Sequence, residues 1–525
     1  MEGKMQRIIS NCFLIISLAT LILSCSSLSK YPTDVGEALK KAGDNKAELE
    51  KVIRHFKATG DSLKLEATYY LIGNMEGHNY AILAYYDTSG SEVEIDVDAF
   101  PDFMSMLAHL DTVEAEKGEI EYKKKEIFED LENIKADFLI NQIEYAFKAW
   151  RELPWAKTVT FENFKNYILP YRGSNEPLEP WREYFFEKYH GIDTVMSDPY
   201  DLIEAAKIIN KDVRSYFGFN ERYYLHPTDQ GLSEMLESGL GRCEDMTNLA
   251  IYAMRANGLA VTSDYTPYWA NTGNNHAWNA IADAEGDVVP FMGAEADPGD
   301  YKLHNKAAKV YRKMFGKQKD NLIFQDRKQE KVPGWLAGKS YIDVTSDYVD
   351  VCDITVNFEK EIPDSVDIAY LCVFNSGEWQ PIHWGRIENN SAVFTDMGVD
   401  VMYIPALYLN EEMEPFGPPI SLDIDCTITE FKKRPESVDA NLEHTTLRTL
   451  EVSTDGVRKS KIKKDKQYEL FYWEDEWQSL GKHSAPEGIL EFNDVPAGCL
   501  YWMVAEGSDE EERIFILKDG KQVWW

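Results

Sequence analysis

The sequence predicts a multidomain α+β protein with a helical N-terminal region, a mixed α+β core and two C-terminal β-sandwiches. Three observations lead there. At 525 residues the chain is too long for one hydrophobic core. Apolar residues recur at helical spacing over residues 31–150, and at strand spacing with frequent turns after residue 321. Finally, Glu378-Trp379-Gln380 recurs as Glu476-Trp477-Gln478, and Phe394, Asp396 and Tyr403 recur as Phe492, Asp494 and Tyr501, all at an offset of 98. One ungapped offset across that stretch marks a duplication. It predicts two related sandwiches of immunoglobulin or fibronectin type, at 335–435 and 440–525. The repeated tryptophan is read as a turn-packing residue in preference to a sugar platform.

The first 24 residues read as a signal peptide and are set apart from the fold. Lys4 and Arg7 form a positive start, residues 12–23 an apolar stretch, and Ile22-Leu23-Ser24-Cys25 resembles a bacterial lipobox. That resemblance implies cleavage before Cys25, lipid attachment to its thiol and a polar tether beginning at Ser26-Ser27. The expected location is the bacterial cell envelope, as an outer-membrane lipoprotein held by its lipid alone. Ser26 after the cysteine is similar to lipoproteins sent to the outer membrane. No later segment has the unbroken apolar length of a transmembrane helix. The formal net charge of −35 argues against nucleic-acid partners and against charge-driven adhesion to anionic lipid.

Residues 25–150 are expected to form the tether and a helical domain. Its helices are read at 35–42, 46–56, 62–72 and, longest, 123–150, where Ile127, Leu131, Ile134, Phe138 and Tyr145 make one stripe. Residues 151–325 are expected to hold the core and its lead-in. Within them, helices are predicted at 200–217, at 232–236 and at 302–315, before a polar connector at 316–321.

The chemistry concentrates at Cys243 and, thirty-three residues on, His276. A thiol and an imidazole suffice for nucleophilic acyl transfer: the sulphur attacks a carbonyl and the ring takes and returns the proton. After the turn signal Gly239-Leu240-Gly241, Cys243 opens the series Met246, Leu249, Ala250, Ala253, Met254, which has the spacing of a buried helix face. The thiol is thus predicted in a first helical turn, where unpaired N–H groups favour thiolate. His276 begins the strand-like run Ala277-Trp278-Asn279-Ala280-Ile281-Ala282. Trp278 reads as core, and Tyr265-Thr266-Pro267-Tyr268-Trp269 as the preceding strand and a substrate wall. His226 and His304 are further rings with no local assignment.

Residues 200–300 resemble the core of the transglutaminase-like superfamily of thiol enzymes. The resemblance rests on Gly-x-Cys before a helix, on Arg255-Ala256-Asn257-Gly258 at the helix end, and on His276-Ala277-Trp278. It implies Cys243 as nucleophile, His276 as base and a third, carboxylate residue at the end of the next strand. Here that position falls on Met292 or Phe291, with Glu295 and Asp297 just beyond as candidates if the loop turns back. Oxyanion candidates are Gln230, whose bland reading is an exposed residue of a helix-cap region, and the Cys243 backbone N–H.

Two readings are carried forward. The first is a transglutaminase-like cysteine enzyme acting on peptide or protein amides, with hydrolysis favoured over crosslinking. The second is a lapsed fold that binds glycan or protein at the envelope. No cofactor is called for, and no cysteine or histidine spacing suggests a metal. Cys352, Cys372 and Cys426 are compatible with one disulfide or with buried small apolar side chains.

Overall fold

The computed structural model describes residues 30–283, 287–328, 331–446, 458–508 and 511–525. The expected signal peptide and the expected lipidation residue Cys25 lie outside the described residues. The described residues form two compact units: one comprises residues 30–80 together with Ile127–Ile143, the other the described residues within Ala81–Glu126 and Glu144–Trp525. No helix among the described residues is long and apolar enough to cross a membrane.

The first unit is built on α1 (Thr33–Lys41), α2 (Lys46–Thr59) and α3 (Ser62–Asn74). Their apolar faces bury Val35, Leu39, Val52, Phe56 and Leu71. Asp61 caps α3, its carboxylate accepting from the N–H groups of Leu63 and Lys64, both at 3.2 Å. The helical reading of residues 31–150 needs one correction. Strands β1 (Asn79–Tyr86), β2 (Glu92–Val93) and β3 (Glu121–Glu129) form a sheet in the order β2-β1-β3, with helix α4 (Phe103–Lys117) between β2 and β3. The long helix expected at 123–150 is therefore shorter: α5 spans Ala136–Glu152. The run Lys123-Lys124-Lys125-Glu126 has no apolar face to bury as a helix. Pairing with β1 satisfies its backbone instead, so tertiary context overrides local propensity.

The core of the second unit follows. Helices α6 (Trp181–Tyr189), α7 (Leu202–Arg214), α8 (Leu232–Ser238) and α9 (Cys243–Arg255) accompany a sheet of β4 (Val261–Thr266), β5 (His276–Ala282), β6 (Val288–Phe291), β7 (Tyr311–Lys313) and β8 (Tyr341–Asp343). The strand order is β8-β7-β4-β5-β6. Helix α9 is buried along nearly its whole length, within a core that includes Trp181, Phe185, Ile209, Trp278 and Phe291. Two buried arginines hold the lead-in to it. Arg182 donates to the carbonyls of Leu169 and Pro170 at 2.9 Å, and Arg255 to those of Arg172 at 2.6 Å and Val261 at 2.8 Å.

The helix expected at 302–315 is absent. That stretch runs without helix into β7, which pairs with β4 so that Arg312 lies opposite Asp264. Burial of a bidentate pair, Nε to Oδ1 at 2.9 Å and Nη2 to Oδ2 at 2.8 Å, accompanies the extended form.

The C-terminal part forms two antiparallel β-domains, as the duplication predicts. The first contains β9 (Val351–Asn357), β10 (Ile368–Asn375), β11 (Glu378–Glu388), β12 (Ser391–Gly398), β13 (Val401–Leu409), β14 (Glu412–Pro415), β15 (Ile420–Leu422) and β16 (Ile428–Glu430), in the order β9-β12-β11-β10-β13-β15-β16, with β14 on β13. A Cys352–Cys426 disulfide joins edge strand β9 to the turn before β16. Cys372 is a buried free thiol, so of the two readings the first holds for one pair and the second for the remaining cysteine. In the second domain β20 (Gln467–Glu474), β21 (Glu476–Ser484), β23 (Tyr501–Ala505), β24 (Ile514–Lys518) and β25 (Lys521–Trp524) form a sheet in the order β21-β20-β23-β24-β25, beside the pairs β17–β22 (Ser437–Leu442 and Leu490–Pro496) and β18–β19 (His444–Thr446 and Lys459–Lys461).

The repeat is structural. Tyr403 donates its hydroxyl to the Gly398 carbonyl five residues upstream, and Tyr501 does the same to Pro496. Asp396 and Asp494 share a left-handed backbone, at φ 52° and 56°. The repeated tryptophans do more than pack their own turns. Trp379 lies edge-on to Trp473, and Trp477 edge-on to Phe374, so both enter an aromatic cluster shared by the two domains.

Candidate functional site

Cys243 is the first residue of α9, and the turn before it is packed tightly. A Cβ at Gly241 would stand 2.6 Å from the Asp245 Cβ and 2.8 Å from the Phe217 ring, so only glycine fits there. The buried Asp245 carboxylate accepts from the Arg242 N–H at 2.9 Å and the Gln230 N–H at 3.2 Å. It thereby caps the helix from its third position. Burial pushes this carboxyl up to about 6. The Arg242 guanidinium pairs with Asp229, which also accepts from the Ser174 hydroxyl at 3.1 Å.

His276 is the first residue of β5, and α9 is fastened over that strand. Asn279 donates to the Thr247 carbonyl at 3.1 Å. Cys243 and His276 line one cavity of about 460 Å³, together with Tyr224, Trp269, Asn274 and Tyr301. The imidazole sits among aromatic rings, with centroids at 5.8 Å for Trp278, 6.0 Å for Trp269 and 6.3 Å for Tyr301.

These surroundings set the protonation states. Burial pushes the Cys243 thiol up to about 12, with the Glu244 carboxylate adding to the effect and the Ala277 backbone amide opposing it. Burial also lowers His276 to about 4, with Glu244 opposing. At neutral pH the resting pair is therefore a thiol and a neutral imidazole, not the thiolate that a helix N-terminus alone would favour. Both shifts oppose a preformed thiolate–imidazolium pair, so the ring could take the thiol proton only in concert with attack.

The carboxylate position of the resemblance is apolar in space as well as in sequence. Phe291 and Met292 are buried. Met292 pairs with Ala296 in a tight turn that leaves Glu295 exposed at the cavity and carries Asp297 away from it. Asp297 accepts from Asn210 at 2.9 Å and faces Arg214 at 3.5 Å. Among the described residues no carboxylate is hydrogen-bonded to His276; Glu295 shares its cavity, and Asp283 lies beyond the opposite end of β5.

Gln230 is fully buried, not exposed, and its amide is engaged: Nε2 donates to the Leu240 carbonyl at 3.0 Å and Oε1 accepts from the Ser238 hydroxyl at 3.2 Å. The backbone N–H of Cys243 lies in the first turn of α9, where N–H groups have no partner within the helix. His304 reaches the cavity lining, whereas His226 is held by Glu234 at 3.0 Å and the Thr228 carbonyl at 2.7 Å. Among the described residues no cluster of side chains suits a metal ion.

Sequence reasoning passed over Asn210, Asp245 and Asn279, which hold the site from behind. Two of them left a signal. Asn210 interrupts the buried stripe of α7, and Asp245 is an acid three residues after a helix cap. No curated protein matches this chain. Residues 191–291, which contain α7, α9, Cys243 and His276, match the family model of the transglutaminase-like superfamily, and this stretch of the chain is a transglutaminase-like domain.

Proposed function

We propose that the protein is a thiol enzyme cleaving peptide or protein amides at the bacterial cell envelope. The observation that carries this reading is the placement of Cys243 and His276 in one cavity, with the thiol at a helix start. The Cys243 sulphur attacks the amide carbonyl as His276 takes the thiol proton. The backbone N–H groups of the first helical turn receive the oxyanion. The proton then passes to the departing amine as the C–N bond breaks, and water hydrolyses the thioester to release the acid and restore the thiol. Water is the abundant acceptor, so hydrolysis is favoured over crosslinking.

The location rests on the leader and lipobox, with attachment through Cys25. The Cys352–Cys426 disulfide agrees with an oxidising compartment. The substrate is a peptide or protein, and nucleic acid is disfavoured by the charge of −35.

One observation favours a second reading, a lapsed domain that binds glycan or protein: among the described residues His276, surrounded by aromatic rings, is hydrogen-bonded to no carboxylate. Losing the orienting carboxylate of a triad costs such chemistry about four orders of magnitude. The two readings part on one experiment. Wild type, Cys243→Ala and His276→Ala are incubated with a peptide-amide library and with peptidyl electrophiles that acylate thiols. The enzyme reading expects cleavage and a mass adduct on Cys243 in wild type alone. Amide cleavage that survives in Cys243→Ala sinks it, and binding of a peptide or glycan without turnover by wild type supports the second reading.

A further inference from the structure

The loop that delivers His276 to its cavity is held by the C-terminal β-domains. Residues 269–274 connect β4 toward β5, and Trp269 and Asn274 line the cavity beside His276. Their backbone is gripped by a side chain from another domain. Asn375 ends β10 at the tip of a hairpin whose two-residue turn, Ser376-Gly377, has φ of 48° and 82°. Only 3% exposed, Asn375 directs its Nδ2 at three carbonyl oxygens: Trp269 at 2.9 Å, Thr272 at 3.0 Å and Asn274 at 2.9 Å. Its Oδ1 accepts from the Ser376 hydroxyl at 3.1 Å, and that hydroxyl oxygen accepts from the Asn274 N–H at 3.4 Å.

The second domain adds its own hold. Arg513 is buried and donates to the Ala270 carbonyl at 2.6 Å, to that of Phe374 at 2.5 Å and to that of Trp525 at 3.0 Å. One guanidinium thus joins the transglutaminase-like core to both β-domains. The loop also closes on itself, since the Trp269 N–H donates to the Asn274 carbonyl at 3.2 Å and Asn274 adopts a left-handed backbone at φ 71°. Asparagine tolerates that conformation, and here, two positions before His276, its N–H is bonded by Ser376 and its carbonyl by Asn375.

From this geometry we infer that Asn375 is a positioning residue for the candidate site. It fixes the 269–274 loop from the β-domain side and, through it, the placement of the His276 ring and the aromatic wall around it. The β-domains are then part of the working unit and not appendages to it. This inference rests on the reading of Cys243 and His276 as the reacting pair.

The test compares full-length wild type with Asn375→Ala by three readouts: thermal unfolding, labelling of Cys243 by a peptidyl acylating electrophile, and the His276 pKa from NMR titration of its ring C–H. A loosened loop lets water reach the imidazole. The expected result is labelling slower by at least tenfold and a His276 pKa raised from about 4 toward its ordinary value. A lowered melting temperature with unchanged labelling and unchanged His276 pKa overturns the inference, because a purely structural residue gives that pattern. Asn375→Ser, which keeps one donor, carries the same test if the alanine variant does not fold, and failure of both to fold also overturns it. If wild-type Cys243 takes no label, the reading of the reacting pair fails, while the His276 titration still decides whether Asn375 positions the ring.

Discussion

Asn279 and Gly293 are joined behind the candidate site: the Gly293 N–H donates to Asn279 Oδ1 at 3.0 Å, while Asn279 Nδ2 donates to the Thr247 carbonyl at 3.1 Å. One buried amide thus ties β5 both to α9 and to the turn after β6. That turn lies flat on the helix, since a Cβ at Gly293 would stand 2.5 Å from the Met246 carbonyl oxygen. Asn279→Ala leaves a buried N–H and a buried carbonyl without this partner and is expected to cost about 2 to 4 kcal/mol. Gly293→Ala is expected to destabilise through the backbone clash. Both are read as lower urea midpoints, and midpoints equal to wild type would refute the tie.

His276 makes stability depend on pH in a defined window. Its folded pKa, about 4, lies below the unfolded value near 6.5, so between them the unfolded chain binds the extra proton. The contribution is fully present above the unfolded value and is lost as pH falls through about 4, amounting to at most about 3 kcal/mol. Compared with His276→Ala, wild type is expected to lose stability faster from pH 6.5 to 4, by denaturant titration at each pH. For the thiol, raised to about 12, alkylation of Cys243 should climb about tenfold per pH unit from 7 to 10 with no plateau. A plateau near pH 7 would show a thiolate already formed.

Breaking the Asp264–Arg312 pair is expected to be costly. Arg312→Met leaves a buried carboxylate whose remaining donor is Tyr348 at 2.6 Å, at a cost of about 3 to 5 kcal/mol. Adding Asp264→Asn removes the orphaned charge and should recover part of the loss in thermal unfolding. A double variant no more stable than Arg312→Met alone would mean that the charge is not what costs.

The Cys352–Cys426 disulfide closes a separation of 74 residues, for which chain entropy gives a stabilisation of about 4 kcal/mol. Reduction, or Cys352→Ser, should lower the unfolding transition of the first β-domain. Mass spectrometry under native, non-reducing conditions should find Cys372 unalkylated, because that thiol is buried. Equal melting with and without reductant would argue against a stabilising bridge.

What the sequence determined by itself was short in range. The apolar stripe of 243–254 announced a buried helix beginning at Cys243, and the strand after His276 followed from its apolar run, because both signals are periodicities within one element. The offset of 98 announced two related β-domains, because a duplication copies its turns and corner tyrosines together. Contacts between distant residues escaped that logic. Strand β3 looked helical because its partner β1 lies in another part of the sequence, and 302–315 looked helical because nothing local revealed Arg312 facing Asp264. Only the tertiary structure turned Asp297 toward Asn210, spent the Gln230 amide on Leu240 and Ser238, and surrounded His276 with aromatic rings. The physical reason is the same in each case. A hydrogen bond or a buried charge is decided by which groups meet in space, and burial, not the helix start, sets whether Cys243 rests as thiol or thiolate.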